Sequence, residues 1–126
     1  MGTKSEPLFK KNWEIRAVIC QNKCLFQDFL EKLPENEQNI IISFIERVAE
    51  KGPPKGKQRF RPLSKKIYEL KHLALNIRLY TFFEGPQRLT IVFGEKKPKK
   101  KKLQNSIKKA ERLRELVIGG GQNETQ

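Results

Sequence analysis

The 126-residue sequence has few of the residues that build metal sites and disulfides, and it has no long apolar run. It contains one histidine and two cysteines, and no second Cys or His pair lies near Cys20 and Cys24. A structural zinc site needs about four such ligands, so we expect no metal and no other cofactor. The longest dense apolar stretch, Ile40 to Ile45, is far shorter than the roughly 18 residues of a membrane span. We therefore predict no membrane contact.

The N-terminal segment also lacks the features of an export signal. Charged residues recur throughout MGTKSEPLFKKNWEIRAVIC, and there is neither an apolar core nor a small-residue cleavage site. We expect a cytoplasmic protein, in which both cysteines stay reduced and act as small, half-buried apolar side chains.

Acidic residues are scarce beside basic ones. The chain has 27 Lys and Arg against 14 Asp and Glu, a formal net charge of +13. Twenty of the basic side chains, but only four of the acidic ones, lie between residues 51 and 114. The densest run, Lys96 to Lys102, has six lysines in seven positions. This asymmetry favours a polyanionic partner, although such runs are also common as solvated loops.

Apolar periodicity predicts one small domain over residues 1–126, with its core at about 13–117 and a flexible tail at 118–126. Alternation predicts a strand over 13–20. Helical spacing predicts a helix over 25–33 with Asn22 as N-cap, and a second helix that ends at Gly52. Residues 52–66 read as a basic loop, because Gly and Pro recur there without an apolar period.

The second half of the sequence predicts three strands and a helix. Three β-rich runs, IYELKHLA, NIRLYTFFE and RLTIVFG, are separated by short turns and indicate an antiparallel meander. A helical face that begins at Leu103 then runs to Gly119-Gly120-Gly121, which predicts the helix end. The fold class is α+β: a small, mostly antiparallel sheet with the two earlier helices on one face, and a C-terminal helix.

The meander carries the candidate site. The two-residue period separates Arg78, Tyr80 and Phe82 from the apolar face of their strand. Lys71 lies on the neighbouring strand, so we expect Lys71 and Arg78 to converge on an uncovered face of the sheet, with Lys96 and Lys97 arriving at its end. The alternative is that Lys71 and Arg78 are ordinary solvated residues.

Other residues give weaker signals. Tyr80 is a candidate for stacking on an RNA base, although packing is the commoner role, and His72 reads as a structural histidine. Further basic residues could bind RNA phosphates: Lys55, Lys57, Arg59, Arg61, Lys99, Lys100, Lys101 and Lys102. The sequence shows no paired carboxylates, no nucleophile with a partnered base and no Gly-rich phosphate loop.

The segment from Phe60 to Val117 resembles the RelE/HigB-type toxins of bacterial and phage toxin–antitoxin pairs, especially the phage-derived, HigB-like branch. Three landmarks carry the resemblance: the L-x-x-x-I-Y-E-L-K strand, the I-R-L-Y strand, and an apolar strand that ends in F-G-x-K-K. A terminal helix with Ile107 and Ala110 follows. The likeness extends over roughly residues 13–117, and its specificity lies in the order and spacing of motifs that are each degenerate.

The resemblance implies a RelE-like domain, a ribosome-dependent endoribonuclease that cuts mRNA, and inhibition by a cognate acidic antitoxin. It also implies catalytic roles for Lys71, Arg78, Lys96 and Lys97. This chain departs from the family pattern at Glu69, which is acidic where a basic residue is frequent. No Tyr or His follows Gly94 as a proton donor.

The implied reaction, attack of a ribose 2′-hydroxyl on the adjacent phosphate, needs a base, an acid and cations for the developing charge, but no metal. Neighbouring positive charge disfavours a protonated amine, so we expect Lys71 to act as the base. Arginine stays protonated, so Arg78 would stabilise the phosphate. Lys96 or Lys97 would bind phosphate or protonate the leaving oxygen.

Three other interpretations remain open on the sequence alone. A ParE-like member of the same superfamily would inhibit gyrase instead of cutting RNA, and fold alone does not separate the two. A non-catalytic RNA-binding or ribosome-associated protein would use the basic segment only to grip phosphates. A plain structural interaction module would leave the charge unexplained.

Overall fold

The structure, a computed structural model, describes residues 2–96 and 100–124 of the chain. Its strands are β1 (Thr3–Lys10), β2 (Glu14–Cys20), β3 (Lys23–Cys24), β4 (Phe60–Pro62), β5 (Tyr68–His72), β6 (Ile77–Phe83) and β7 (Arg88–Lys96). Its helices are α1 (Leu25–Glu31), α2 (Glu35–Lys51) and α3 (Lys100–Glu124). The α+β class that the sequence predicts is confirmed.

The strands form one open, mixed sheet in the order β1-β2-β7-β6-β5-β4, with β3 beside β2. The predicted meander of β5, β6 and β7 is confirmed and is antiparallel. Among the described strands, β2 and β7 form the one parallel pair, with Glu14 opposite Arg88 and Ala17 opposite Ile91. A parallel pair needs a long crossover, and here α1, α2 and the intervening strands supply it.

Helices cover both faces of the sheet. On one face α1, α2 and the turn between them contribute Phe26, Leu30, Leu33, Ile41, Ile45, Val48 and Ala49 to the core. On the other face α3 contributes Ile107, Ala110, Leu113 and Val117. The segment Leu89 to Phe93 of β7, apolar except for Thr90, is therefore buried on both sides. The predicted uncovered face is wrong, because α3 packs against it.

The N-terminal region contains a strand that the sequence did not reveal. β1 pairs antiparallel with β2 at the edge of the sheet, and most of its side chains are exposed because it has only one neighbouring strand. The predicted N-cap of α1 is also wrong. The helix begins after Cys24, whose Sγ accepts a hydrogen bond from the Gln27 backbone N–H at 3.4 Å, whereas Asn22 has a φ of 67° in the preceding turn.

The C-terminal helix is longer than predicted. α3 continues through Gly119-Gly120-Gly121 to Glu124, so the predicted stop at these glycines is wrong. The predicted basic loop over 52–66 is correct except for the short strand β4 within it.

A glycine allows α1 to pack directly on the sheet beside the candidate site. A Cβ at Gly94 would lie 2.8 Å from Leu79 Cδ2 and 2.8 Å from ring atoms of Phe29. Both distances are too short for a real Cβ contact, so only glycine fits between β6 and α1. Gly94 immediately precedes Glu95, so this close packing holds the adjoining part of β7 against α1.

Candidate functional site

The structure brings Lys71 and Arg78 together at one end of the sheet. Lys71 lies opposite Arg78 in the β5–β6 register, and Arg78 lies opposite Glu95 in the β6–β7 register. Residues that are directly opposite each other share a face, so these three side chains form one row on the α3 face. We call them the cationic row, although its third member is a carboxylate.

Lys96 does not join this row. It lies opposite Ile77, one position along the strand, and therefore points to the face that α1 and α2 cover. Its Nζ donates to Glu37 Oε1 of α2 at 2.5 Å. The prediction that Lys96 converges with Lys71 and Arg78 is wrong, because a one-residue step reverses the face. Lys97 and Lys99 lie outside the described residues.

A buried carboxylate holds Arg78. Glu69 is only 2% exposed, and its two oxygens accept hydrogen bonds from different arginines. Arg61 Nε donates to Oε1 at 2.7 Å, and Arg78 Nε donates to Oε2. A buried carboxylate requires such partners. A pairing of Glu69 with Arg78 was open on the sequence alone, but the second partner, Arg61, was not, because residues 52–66 were predicted as a loop and β4 was not foreseen.

The arrangement leaves Arg78 charged and partly accessible. Its side chain is 11% exposed. Burial opposes the charge, but hydrogen bonding with Tyr80 and the charge of Glu69 outweigh it, and the pKa of Arg78 is raised. Arg61, predicted to bind RNA, is ion-paired to Glu69 and 45% exposed. Both arginines keep guanidinium N–H groups in addition to the Nε that faces Glu69.

Tyr80 is not available to stack on RNA. It is 0% exposed, because α3 covers its ring and the ring stacks on Phe93 with centroids 4.7 Å apart. Its hydroxyl donates to Glu95 Oε1 at 2.7 Å, and Ser106 of α3 donates to the same carboxylate. Burial, together with the bond to Glu95, raises the pKa of Tyr80 to about 12. Tyr80 and Ser106 therefore tie Glu95 to the core.

A second feature lies on the other side of β5. A cleft of about 430 Å³ opens between the C-terminal turns of α2, the following loop and the end of β5. Its lining residues are Phe44, Arg47, Val48, Lys51, Gly52, Pro54, Arg59, Lys71, His72, Leu73 and Ala74. Four of them are cations and none is a carboxylate. We call this feature the basic cleft. Lys71 lies at the border of the two features: its side chain shares the α3 face with Arg78, and the residue also contributes to the edge of the basic cleft.

His72 has a defined hydrogen-bonding state in the basic cleft. The Leu75 backbone N–H donates to its Nδ1 at 3.2 Å, so the neutral ring carries its proton on Nε2. The ring also makes an edge contact with Phe44, with centroids 5.0 Å apart and planes at 85°. Burial lowers the pKa of His72. The structural role that the sequence predicts for His72 agrees with these contacts.

The remaining predicted RNA-binding residues are spread over two exposed segments. Lys55, Lys57 and Arg59 are exposed in the loop between α2 and β4. Lys100, Lys101 and Lys102 form the first turn of α3, where Lys100 and Lys102 are exposed. Of this set, only Arg59 lines the basic cleft. The cleft residues Arg47, Lys51 and Phe44 were missed, because their helical spacing indicated only a solvated helix face and its core.

The described part of the chain offers no site of two other kinds. No group of three or more His, Cys, Asp or Glu side chains is placed there to hold a metal ion. No helix in this part is both long and apolar enough to cross a membrane.

Comparison with known protein families adds an independent finding. The sequence profile of the family described as Phage derived protein Gp49-like (DUF891) matches residues 28–115. The chain belongs to this family. The Gp49-like family is a RelE/HigB-like family associated with toxin–antitoxin systems, and it indicates an antitoxin as a partner. The matched segment contains every residue of the cationic row and of the basic cleft. No curated protein matches the chain.

Proposed function

We propose that the protein is the toxin of a type II toxin–antitoxin pair, of the HigB-like kind, and that it cuts mRNA on the ribosome without a metal ion. Membership in the Gp49-like family supports the toxin assignment. The observation that carries the nuclease assignment is the pairing of Lys71 with Arg78 across β5 and β6. Two cations directly opposite each other on adjacent strands can both contact one phosphodiester and stabilise the negative charge that develops on it.

The reaction proposed is an internal transesterification. The ribose 2′-oxygen loses its proton and attacks the adjacent phosphorus, the bond from phosphorus to the 5′-oxygen breaks, and that oxygen takes up a proton. The products are a 2′,3′-cyclic phosphate and a 5′-hydroxyl end. Negative charge grows on the non-bridging oxygens in the transition state, and preorganised cations stabilise it without reorganisation.

Arg78 and Lys71 of the cationic row take different parts in this reaction, and Glu69 positions Arg78. Glu69 fixes the direction of Arg78 through Nε, which leaves its terminal N–H groups for the phosphate. Among the described residues no carboxylate lies within ion-pair distance of Lys71, so its side chain can reach both the phosphate and the 2′-hydroxyl. Lys96 is left out of the reacting centre, because its ammonium is paired with Glu37 on the other face.

An acidic antitoxin is the proposed inhibitor. The formal net charge of +13 offers electrostatic complementarity to an acidic chain, which accelerates and orients association. Blocking the approach to Lys71 would silence the toxin. Co-expression with the neighbouring open reading frame and purification of a stable complex, sensitive to salt, tests this partner.

The decisive experiment is primer extension on a translated message after induction of the protein. The expected result is a set of new 5′ ends inside the reading frame, absent from a copy of the message without a start codon. Lys71→Ala should abolish these ends, whereas Lys66→Ala, which removes an exposed lysine of the same basic segment, should retain them.

Three outcomes would overturn the proposal. New ends that persist in the Lys71→Ala variant would remove Lys71 from the reaction. Growth inhibition without new ends, accompanied by altered plasmid supercoiling, would indicate a gyrase inhibitor instead. Tight RNA binding without either effect would indicate a non-catalytic ribosome-associated protein.

A further inference from the structure

The basic cleft holds four cations that come from separate segments of the chain. Arg47 and Lys51 lie on the last turns of α2, Arg59 lies in the loop before β4, and Lys71 lies near the end of β5. The Lys71 backbone N–H donates to the Arg59 carbonyl at 2.8 Å, which fixes the loop against the strand. The cations are therefore brought together by the fold and not by a sequence run.

These cations are not neutralised within the described protein. No carboxylate of the described residues is ion-paired with Arg47, Lys51, Arg59 or Lys71. By contrast, Lys11 on the neighbouring surface is paired with both Glu46 and Glu50 of α2, so carboxylates of the same helix are used elsewhere. Arg47 and Lys51 also offset the negative end of the helix dipole, but Arg59 and Lys71 have no such role. The cleft thus concentrates positive charge in a concave surface.

The cleft also has an apolar wall. Phe44, Val48 and Pro54 line one part of it, and Leu73 remains 43% exposed at its rim. An inorganic anion would contact only the cations, and a flat membrane surface would not fill a concavity. A nucleotide would contact both the cations and the apolar wall, because its phosphate binds the cations while the face of its base packs on apolar and aromatic groups. The volume of about 430 Å³ falls within the range of small-molecule sites, roughly 300–1,000 Å³.

Lys71 connects the cleft to the cationic row, since it lines one and belongs to the other. We propose that the basic cleft binds one nucleotide of the single-stranded RNA substrate, next to the nucleotide whose phosphate lies at Lys71 and Arg78. Arg47, Lys51 and Arg59 contact its phosphate, and Phe44 and Leu73 contact its base. The Nε2–H of His72 donates a hydrogen bond to an acceptor of the same nucleotide. This inference rests on the proposed function and names the substrate segment that the site holds.

The test is binding of a short, fluorescently labelled single-stranded RNA to the purified full chain, measured by anisotropy over a range of salt concentrations. In the double variant Arg47→Ala/Lys51→Ala we expect affinity to fall about tenfold or more. The slope of log K against log salt should become shallower by about 0.7 for each phosphate that the variant no longer neutralises. Lys32→Ala, which removes an exposed lysine of the α1 end, should change neither quantity.

Two further probes identify the chemistry of the ligand. An RNA with one abasic position should bind less tightly to the wild-type protein than the intact RNA, because no base then packs on Phe44 and Leu73. An acidic poly-glutamate peptide of equal charge should bind less tightly than RNA. Unaltered RNA binding in the double variant would overturn the inference, and so would an equal decrease of binding in Lys32→Ala. Stronger, Arg47-dependent binding of the acidic peptide would assign the cleft to a protein partner instead.

The same variants separate this inference from the proposed function. If Arg47→Ala/Lys51→Ala weakens RNA binding but no message is ever cut, the cleft assignment stands and the nuclease assignment fails. If cleavage by the wild-type protein is seen and the double variant matches it in both cleavage and binding, the nuclease assignment stands and the cleft assignment fails. Thermal unfolding of each variant confirms that the fold is retained.

Discussion

Glu69 on β5 is the buried partner that orients Arg78 on β6, and the two side chains lie on the same covered face of the sheet. The carboxylate is satisfied by Arg78 on one oxygen and by Arg61 on the other. A buried ion pair of this kind adds little stability over an apolar packing, but breaking it leaves a charge unpaired. Its contribution is therefore to hold Arg78 in one direction.

Glu69→Gln should be strongly destabilising for this reason. Removing the charge leaves two arginines without their carboxylate, and loss of one partner of a buried pair costs about 3–5 kcal/mol. Glu37→Gln, which breaks the more exposed pair with Lys96, is the control and should cost about 1 kcal/mol or less. Urea denaturation monitored by tryptophan fluorescence measures both. Equal losses of stability in the two variants would contradict a special role for the Glu69 carboxylate.

Tyr80→Phe tests the bond that ties β6 to β7. The variant removes the donor to Glu95 and leaves a partly buried carboxylate with fewer partners, which should cost about 1.5–3 kcal/mol. Tyr68→Phe keeps the stacked contact with Phe60 and should change the free energy of unfolding by less than about 0.5 kcal/mol. Chemical denaturation compares the two. A small effect at Tyr80 would show that the hydroxyl bond is not needed.

The phenol of Tyr80 also predicts a pH dependence. Its folded pKa of about 12 lies above its ordinary value of 10.0, so the folded state favours the neutral phenol. The associated stability is complete below about pH 10 and is lost as pH rises toward 12. Absorbance titration in the near ultraviolet should show one tyrosine that ionises only near the upper end of this range. In Tyr80→Phe this late step should be absent.

His72 predicts a second dependence, at low pH. Burial lowers its folded pKa from the ordinary value of 6.5. The folded state therefore favours the neutral ring, so the stability is present above about pH 6.5 and is lost as pH falls through the lower, folded pKa. His72→Asn offers a side-chain oxygen for the Leu75 N–H without titrating in this range. Between about pH 5 and 7 its unfolding free energy should vary less than that of the wild-type protein.

Gly94 and Gly119 form a matched pair for alanine substitution. Gly94→Ala places a methyl group 2.8 Å from Leu79 and Phe29, and overpacking of this kind costs about 1–3 kcal/mol. At Gly119, within α3, nothing lies within 4 Å of an added Cβ, so alanine should stabilise the helix by about 0.5–1 kcal/mol. Thermal unfolding should therefore shift in opposite directions. A decrease of stability in Gly119→Ala would contradict the helical continuation past residue 118.

Much of the fold could be predicted from local patterns. The two-residue period of the meander and the 3.6-residue period of α1, α2 and α3 are properties of neighbouring residues, and they predicted these elements correctly. Strand β1 was not predicted, because its sequence, TKSEPLFK, has no apolar face. It forms a strand because the edge of β2 offers unpaired backbone groups. Which face α3 covers depends on a contact between distant segments, which no local pattern encodes.

The candidate site divides in the same way. The opposition of Lys71 and Arg78 follows from a short turn between adjacent strands, so sequence reasoning reached it. The position of Lys96 depended on the register of β7, where one residue decides the face. The cleft cations Arg47 and Lys51 meet Arg59 and Lys71 only in the folded chain, and their grouping had no sequence signal.

The parallel pairing of β2 with β7 has a consequence for the time course of synthesis. Glu14 can pair with Arg88 only after most of the chain has been synthesised. Until then, the edge of β2 that faces β7 in the hairpin of β1 and β2 has no strand partner. Contacts of such long sequence separation slow folding, and an unpaired strand edge that is exposed meanwhile favours aggregation. A partner that binds co-translationally therefore has time to arrive before the molecule matures.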